Sequence, residues 1–272
     1  MKNRISKIGL VVAAALGISL TLSGCGDTLK FLQARDHLNK GVTAFTASDF
    51  QSAADHFSQS IELDPELLAA RQYLATAYRQ QYVPGAESPE NVKIANQALE
   101  GFNDVLSRDP NNEMAMLSIA SLYFDMGDLD KAKEWNQKLI QSFPNNKTPY
   151  YTIGVINWTK TYQPRLEVRA KLGMKPEDPG PIKDAKARQQ LAETNGPLAD
   201  EGLQMLQKSV ELDPDYADAM AYINLMYREK ADLAESAEEY EKLSSIADEW
   251  VQKTLDTKKR LAEAGTQDQF AQ

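Results

Sequence analysis

The stretch NNEMAMLSIASLYFDMGDLDKAKEWNQKLIQSFP, from Asn111 to Pro144, constrains this chain more than any other. It is 34 residues long, begins just after one proline (Pro110) and ends on the next. Two helical patterns lie inside it, broken at Met126-Gly127-Asp128. Apolar residues recur at Met116, Ile119, Ala120 and Tyr123, then at Leu129, Ala132, Trp135, Leu139 and Ile140. That is the three-to-four spacing of helices with one buried face. Neither helix has enough apolar surface to stand alone, so the pair must stack on similar neighbours.

The same end signal recurs along the chain, at Leu63-Asp64-Pro65, Arg108-Asp109-Pro110, Ser142-Phe143-Pro144 and Leu212-Asp213-Pro214. Proline cannot continue a helix and biases the residue before it away from helical angles, so each is a stop with a mechanism. These prolines are 45, 34 and 70 residues apart; against a 34-residue period, the outer intervals carry 11 and 36 extra residues.

Small and large residues fall in matching places. The first unit has Gly41, Ala53 and Phe57; the second has Leu74, Ala75, Tyr78, Ala98 and Phe102. The third has Ile119, Ala120, Tyr123, Gly127 and Ala132; the fourth has Ile153, Gly154, Gly202 and Leu206; the fifth has Ile223, Tyr227, Tyr240 and Leu243. This pattern resembles the tetratricopeptide repeat, a 34-residue helix–turn–helix with small residues where its helices cross. The resemblance covers residues 34–244. It implies an all-α chain, an α-solenoid of about five such hairpins, with an irregular helical bundle as the alternative. Departures are plain: the family's first-helix Trp is absent, and Asn136 stands where an aromatic is usual, one place after Trp135. Asn157 and Asn224 also break the pattern, and Lys40 replaces an apolar residue.

The extra residues can be located. Residues 81–91 separate the helices of the second unit; Pro84-Gly85 reads as a turn and Ser88-Pro89-Glu90 as an N-cap with proline at the first helical position. This insertion reads as a surface loop. The larger insertion, residues 160–197, reads as two short amphipathic segments (165–172 and 183–194) around Met174 to Pro181, whose prolines hold that centre extended. It is either a partner-binding element or a decorated spacer. Similar insertions occur in repeat lipoproteins of soil bacteria. After the fifth unit, Asp232 to Glu235 reads as a capping box. Helical character then continues through Trp250, Leu255 and Leu261 to Gly265, followed by a frayed tail. Residues 245–272 thus form a long terminal helix that closes the exposed core of the array. Lys253, Lys258, Lys259 and Arg260 suit the negative end of that helix.

The chain opens with a basic segment (Lys2, Arg4, Lys7) and an apolar run from Ile8 to Leu22. The run is short for a bilayer span of about 20 residues but suits a signal-peptide core. It ends in Leu22-Ser23-Gly24-Cys25, which resembles the bacterial lipobox. That resemblance implies a signal peptide over 1–24, cleavage before Cys25, lipidation of its sulfur and fatty acylation (palmitate is typical) of the new amino terminus. An ordinary cleaved signal with an incidental Cys25 is the alternative. The chain's one cysteine lies where lipidation would need it, and more than one acyl chain makes anchoring stable. Residues 25–33 would then be a lipidated tether. Gly26, rather than Asp, favours the outer membrane, with the repeats facing the periplasm.

The net charge of −9 becomes about −12 without residues 1–24. That argues against nucleic acid and against docking on anionic lipid by charge alone. His37 and His56 are the two histidines, 19 residues apart, with no HExxH and no cysteine pair. No phosphate-binding glycine loop or GxSxG occurs either, so no catalytic residue, metal site or cofactor is expected. In the resembled family the first helix of each unit lines an inner curve. One such position is Phe45, Arg79, Phe124, Trp158 and Arg228 in successive units, with Tyr73 and Tyr151 nearby. Aromatic residues and arginine dominate interface energetics, so these seven are the expected partner-binding residues, although some could pack between units instead. The Lys/Asn carboxylate clamp of some members is missing; the corresponding places hold Leu38, Val42, Gln72, Thr76, Leu117 and Ser121. The resemblance implies an envelope-anchored scaffold that binds a protein or peptide. The other reading is a periplasmic module for a small molecule or glycan, using Tyr73, Tyr151, Trp158 and the long insertion.

Overall fold

A computed structural model describes residues 28–175 and 178–270, with side chains up to residue 264. The signal peptide and Cys25 lie outside the described residues. Helices account for nearly all of what is described, and no strand occurs among those residues. The chain divides into two compact units that part between Met126 and Gly127.

The first unit holds α1 (residues 28–46), α2 (Phe50–Leu63), α3 (Leu68–Gln81), α4 (Pro89–Arg108) and α5 (Glu113–Asp125). The second holds α6 (Leu129–Ser142), α7 (Lys147–Lys171), α8 (Ala185–Leu212), α9 (Ala217–Asp232) and α10 (Ala237–Phe270). The four proline stops act as the sequence implies: α2, α4, α6 and α8 end with Asp64, Asp109, Phe143 and Asp213 as C-caps, each just before its proline. Side-chain oxygens of Asp49, Ser88, Asn112, Asp128, Asn146 and Asp184 cap the starts of α2 and α4 to α8. Each satisfies a backbone N–H that the helix itself cannot.

Within the first unit, Ala53, Ala54, Phe57 and Ala77 form a buried cluster against Leu38, Val42, Phe45, Leu74 and Tyr78. A Cβ on Gly41 would lie 2.5 Å from the Phe57 ring, so α1 and α2 touch there with no room for a side chain. In the second unit the cluster is Ala199, Leu203, Leu206, Ala219, Ile223 and Met226. Gly154 plays the part of Gly41: its Cβ would fall 2.4 Å from Leu206. A polar detail repeats too. Ser60 and Ser209 each stand five residues before a stop proline; they donate from the second helix to the carbonyls of Ala34 (2.7 Å) and Lys147 (3.0 Å) on the first.

Three local expectations are corrected. The long insertion does not make separate short segments; it lengthens both helices of its hairpin, so α7 runs 25 residues through Pro164 and α8 runs 28 through Pro197. An interior proline costs about 3 kcal/mol, and α7 and α8 lie against each other along their length, which offsets it. Asp232 does not cap the last helix. Ser236 does, accepting from Glu239 N–H, while the Glu239 carboxylate reaches back to Glu235 N–H; the capping box sits four residues later. Finally, α10 continues to Phe270, so its basic residues are not in a last turn. Lys258 and Arg260 instead pair with Asp218 and Asp215.

Candidate functional site

In the first unit, Phe45 on α1 meets Phe50 and Tyr73 edge-on, at 5.2 and 6.4 Å between ring centroids. Tyr73 also stacks on Phe57 at 5.3 Å. Phe45 is thereby half-buried in packing, whereas Tyr73 keeps 39% of its surface exposed. Arg79 donates to the Asp125 carboxylate and, at 3.3 Å, to Ser121 Oγ, so it ties α3 to α5. Phe124 is half-buried on α5. Beside Tyr73, Gln72 contacts the sulfur of Met114, which starts α5 and is 56% exposed. The 81–91 loop is pinned: buried Asn91 accepts from Val83 N–H and donates to the carbonyls of Val83 and Ala86, at 2.7–2.9 Å.

In the second unit, Tyr151 lies between Tyr216 and Tyr222, and Trp158 between Tyr222 and Tyr162, giving a string of five rings with centroids 4.8–5.7 Å apart. Burial, then the neighbouring tyrosines and Asp218, pushes the Tyr151 phenol up from its ordinary value. Lys147 sits 4.3 Å over the Tyr216 ring. Arg228 donates to Asn224 (2.9 Å) and to Asp248 of α10 (2.7 Å).

The most heavily charged spot was not singled out by its sequence. Arg165 and Arg169 on α7 face Glu229 and Asp232 on α9: Arg165 reaches Glu229 and Asp232 at 2.9 Å each, and Arg169 reaches Asp232 at 2.6 Å. Arg169 also donates to the carbonyls of Lys175 and Asp178, and Ile182 N–H to the Asp232 carbonyl. The proline-rich turn is thus tied to the end of α9. Arg169 and Glu229 are almost wholly buried. Burial pushes the Glu229 carboxyl up to about 7, aided by Asp232 and opposed by Arg165 and Thr161. A cavity of about 170 Å³ lies against this cluster, lined by Arg165, Arg169, Asp178, Asp232 and Tyr240 among others. Both arginines face it already paired to the carboxylates of α9. The helical spacings 165/169 and 229/232 were visible, but which helices meet depends on how the insertion docks.

His37 and His56 come together, Nδ1 to Nδ1 at 3.4 Å, across α1 and α2. No group of three or more metal-ligating side chains occurs among the described residues. No described helix is long and apolar enough to cross a membrane.

Residues 95–153, from within α4 to the start of α7, match the family model described as tetratricopeptide repeat. The hairpins and the Gly–Phe and Gly–Leu crossings are what that repeat requires. That stretch is a tetratricopeptide-repeat segment. Solved structures agree on the fold, an α-solenoid of helical hairpins. A MamA crystal structure is 16% identical, over 85% of this chain and 94% of that one, with a TM-score of 0.55. A MamA fragment from Desulfovibrio magneticus RS-1 is 14% identical, over 84% and 96%, with a TM-score of 0.55. YrrB, described as a TPR protein with an unusual peptide-binding site, is 14% identical, over 81% and 84%, with a TM-score of 0.50. At these identities the likeness speaks for tetratricopeptide architecture alone.

Proposed function

We propose that this tetratricopeptide-repeat chain is an envelope-anchored adaptor, held at the outer membrane by lipid on Cys25 and facing the periplasm, that grips a protein or peptide through its first unit. It has no catalytic role in this reading. One observation carries the choice of unit. Large apolar side chains left exposed on the first helices of hairpins are found on α1 (Leu29, Phe31 and Leu32), α3 (Tyr73) and α5 (Met114), and none is found among the described residues of α7 or α9. Side chains of that size on neighbouring helices are what an interface buries first. Arg79, Trp158, Tyr151 and Arg228 are occupied by intramolecular partners, so they act through the shape they hold. The peptide-binding site described for YrrB supports the class of partner.

Affinity capture from native envelopes tests this reading. A Tyr73→Ala/Met114→Ala variant with unchanged helical circular dichroism is expected to lose the species that wild type retains. Retention of every captured species by that variant overturns it.

A further inference from the structure

The described part of α1 begins at residue 28 and is helical from there on. Residues 28–33 are therefore not a tether, and only two residues separate Cys25 from the first described turn. Four residues lead from Cys25 to Leu29; whatever their path, they span at most about 14 Å. Leu32 stands about 5 Å further along the helix. If Cys25 carries lipid, the first turns of α1 are confined to the surface of the bilayer.

Their side chains suit that place. Leu29 and Leu32 are each 57% exposed and Phe31 is 45% exposed. At 100° per residue, Leu29 and Leu32 lie on the side of α1 opposite Ala34 and Gly41, which face the core. Farther along that outward side come Asp36, Asn39, Lys40 and Thr43, with Asp36 and Lys40 paired to each other at 2.7 Å. The outward face is thus apolar at the end near Cys25 and polar beyond it. Lys30 stands exposed among the apolar residues, and Arg35 lies over the Phe31 ring, 3.6 Å from its centroid. Lys30 is a stem that can keep its cation in the headgroup layer while the hydrocarbon sinks, whereas Arg35 is held to Asp64 of α2 at 3.6 Å.

We propose that the amino-terminal turns of α1 are themselves a membrane-contact element, with Leu29, Leu32 and Phe31 inserted among the lipids beside the anchor, so that the repeats are held directly against the bilayer instead of on a leash. The inference rests on the reading of Cys25 as lipidated, and the test separates the two. Because the lipid would consume the native cysteine, a new one can be labelled cleanly. The lipidated protein, carrying Leu32→Cys or the control Asn39→Cys with an environment-sensitive nitrobenzoxadiazole dye, is reconstituted in phosphatidylethanolamine/phosphatidylglycerol vesicles with spin-labelled acyl chains. The dye at 32 is expected to be quenched at least twofold more than the dye at 39, and to emit farther to the blue. Equal quenching at both positions, in protein that floats with the vesicles, overturns the membrane contact and leaves the anchor standing. Failure to float overturns the anchor and this proposal with it. Dye–dye energy transfer at position 32 without lipid quenching shows that a second copy covers the patch, which also overturns it.

Discussion

In the first unit, α1, α2 and α3 meet through alanines and rings, with Phe57 filling the place beside Gly41 and stacking under Tyr73. In the second, α7 and α9 meet across two arginines and two carboxylates that water barely reaches. Both are built of helical hairpins, yet they hold their helices by different physics. Apolar packing leaves Tyr73 and Met114 exposed in the first unit. The charge cluster spends its polar groups inwardly, and its arginines also fix the inserted turn through backbone carbonyls. A buried pair of this kind adds little net stability over apolar packing, but losing one member is costly. Its role here is to fix how a long, proline-bearing hairpin docks.

The contrast can be broken most forcefully at its two centres. Phe57→Ala is expected to cost about 3–5 kcal/mol, because it leaves a cavity beside Gly41; urea unfolding followed by far-UV circular dichroism reads it. Arg169→Met is expected to cost a similar amount, about 3–5 kcal/mol, by leaving buried Asp232 with Arg165 alone and taking the donor from the carbonyls of Lys175 and Asp178. All three tryptophans (Trp135, Trp158, Trp250) lie in the second unit, so their emission follows that loss. Adding Asp232→Leu to Arg169→Met is expected to restore much of it, whereas no second substitution of charge would rescue Phe57→Ala.

A pH titration sharpens the same difference. Glu229 sits near 7 in the fold against 4.5 ordinarily, so the folded state favours its protonated form. Its stabilising contribution is whole below about pH 4.5 and is lost as pH rises through about 7, a change on the order of 3 kcal/mol. Urea midpoints of wild type are therefore expected to fall relative to those of Glu229→Gln between pH 5 and 8. A constant gap would mean that Glu229 is ionised throughout. The smallest effects should be alike in both units: Ser88→Ala and Ser236→Ala each remove an N-cap, at about 1 kcal/mol.

What the sequence disclosed follows the same division. The stops at Asp64, Asp109 and Asp213 and the crossings at Gly41 and Gly154 are local or periodic, and each could be read from residue type and spacing. The docking of the insertion could not. Pro164 and Pro197 are helix breakers by local rule, and only packing of α7 on α8 carries the helices through them. Asp232 satisfied the local pattern of a cap, but Arg169 is a stronger claimant, 63 residues away. Asn91 likewise looked like an ordinary loop residue until its three hydrogen bonds to the loop backbone placed it. On the partner face, residue type pointed to Arg79 and Trp158 as readily as to Tyr73, since exposure depends on which neighbours come near.

The central claim is that a partner meets the first unit at Tyr73 rather than the ring string of the second. Photo-crosslinking in native envelopes tests it directly, with benzoylphenylalanine placed at Tyr73 in one variant and at Trp158 in another. The account predicts a discrete protein adduct from position 73 and none from position 158; an adduct from 158 alone, or from neither, would contradict it.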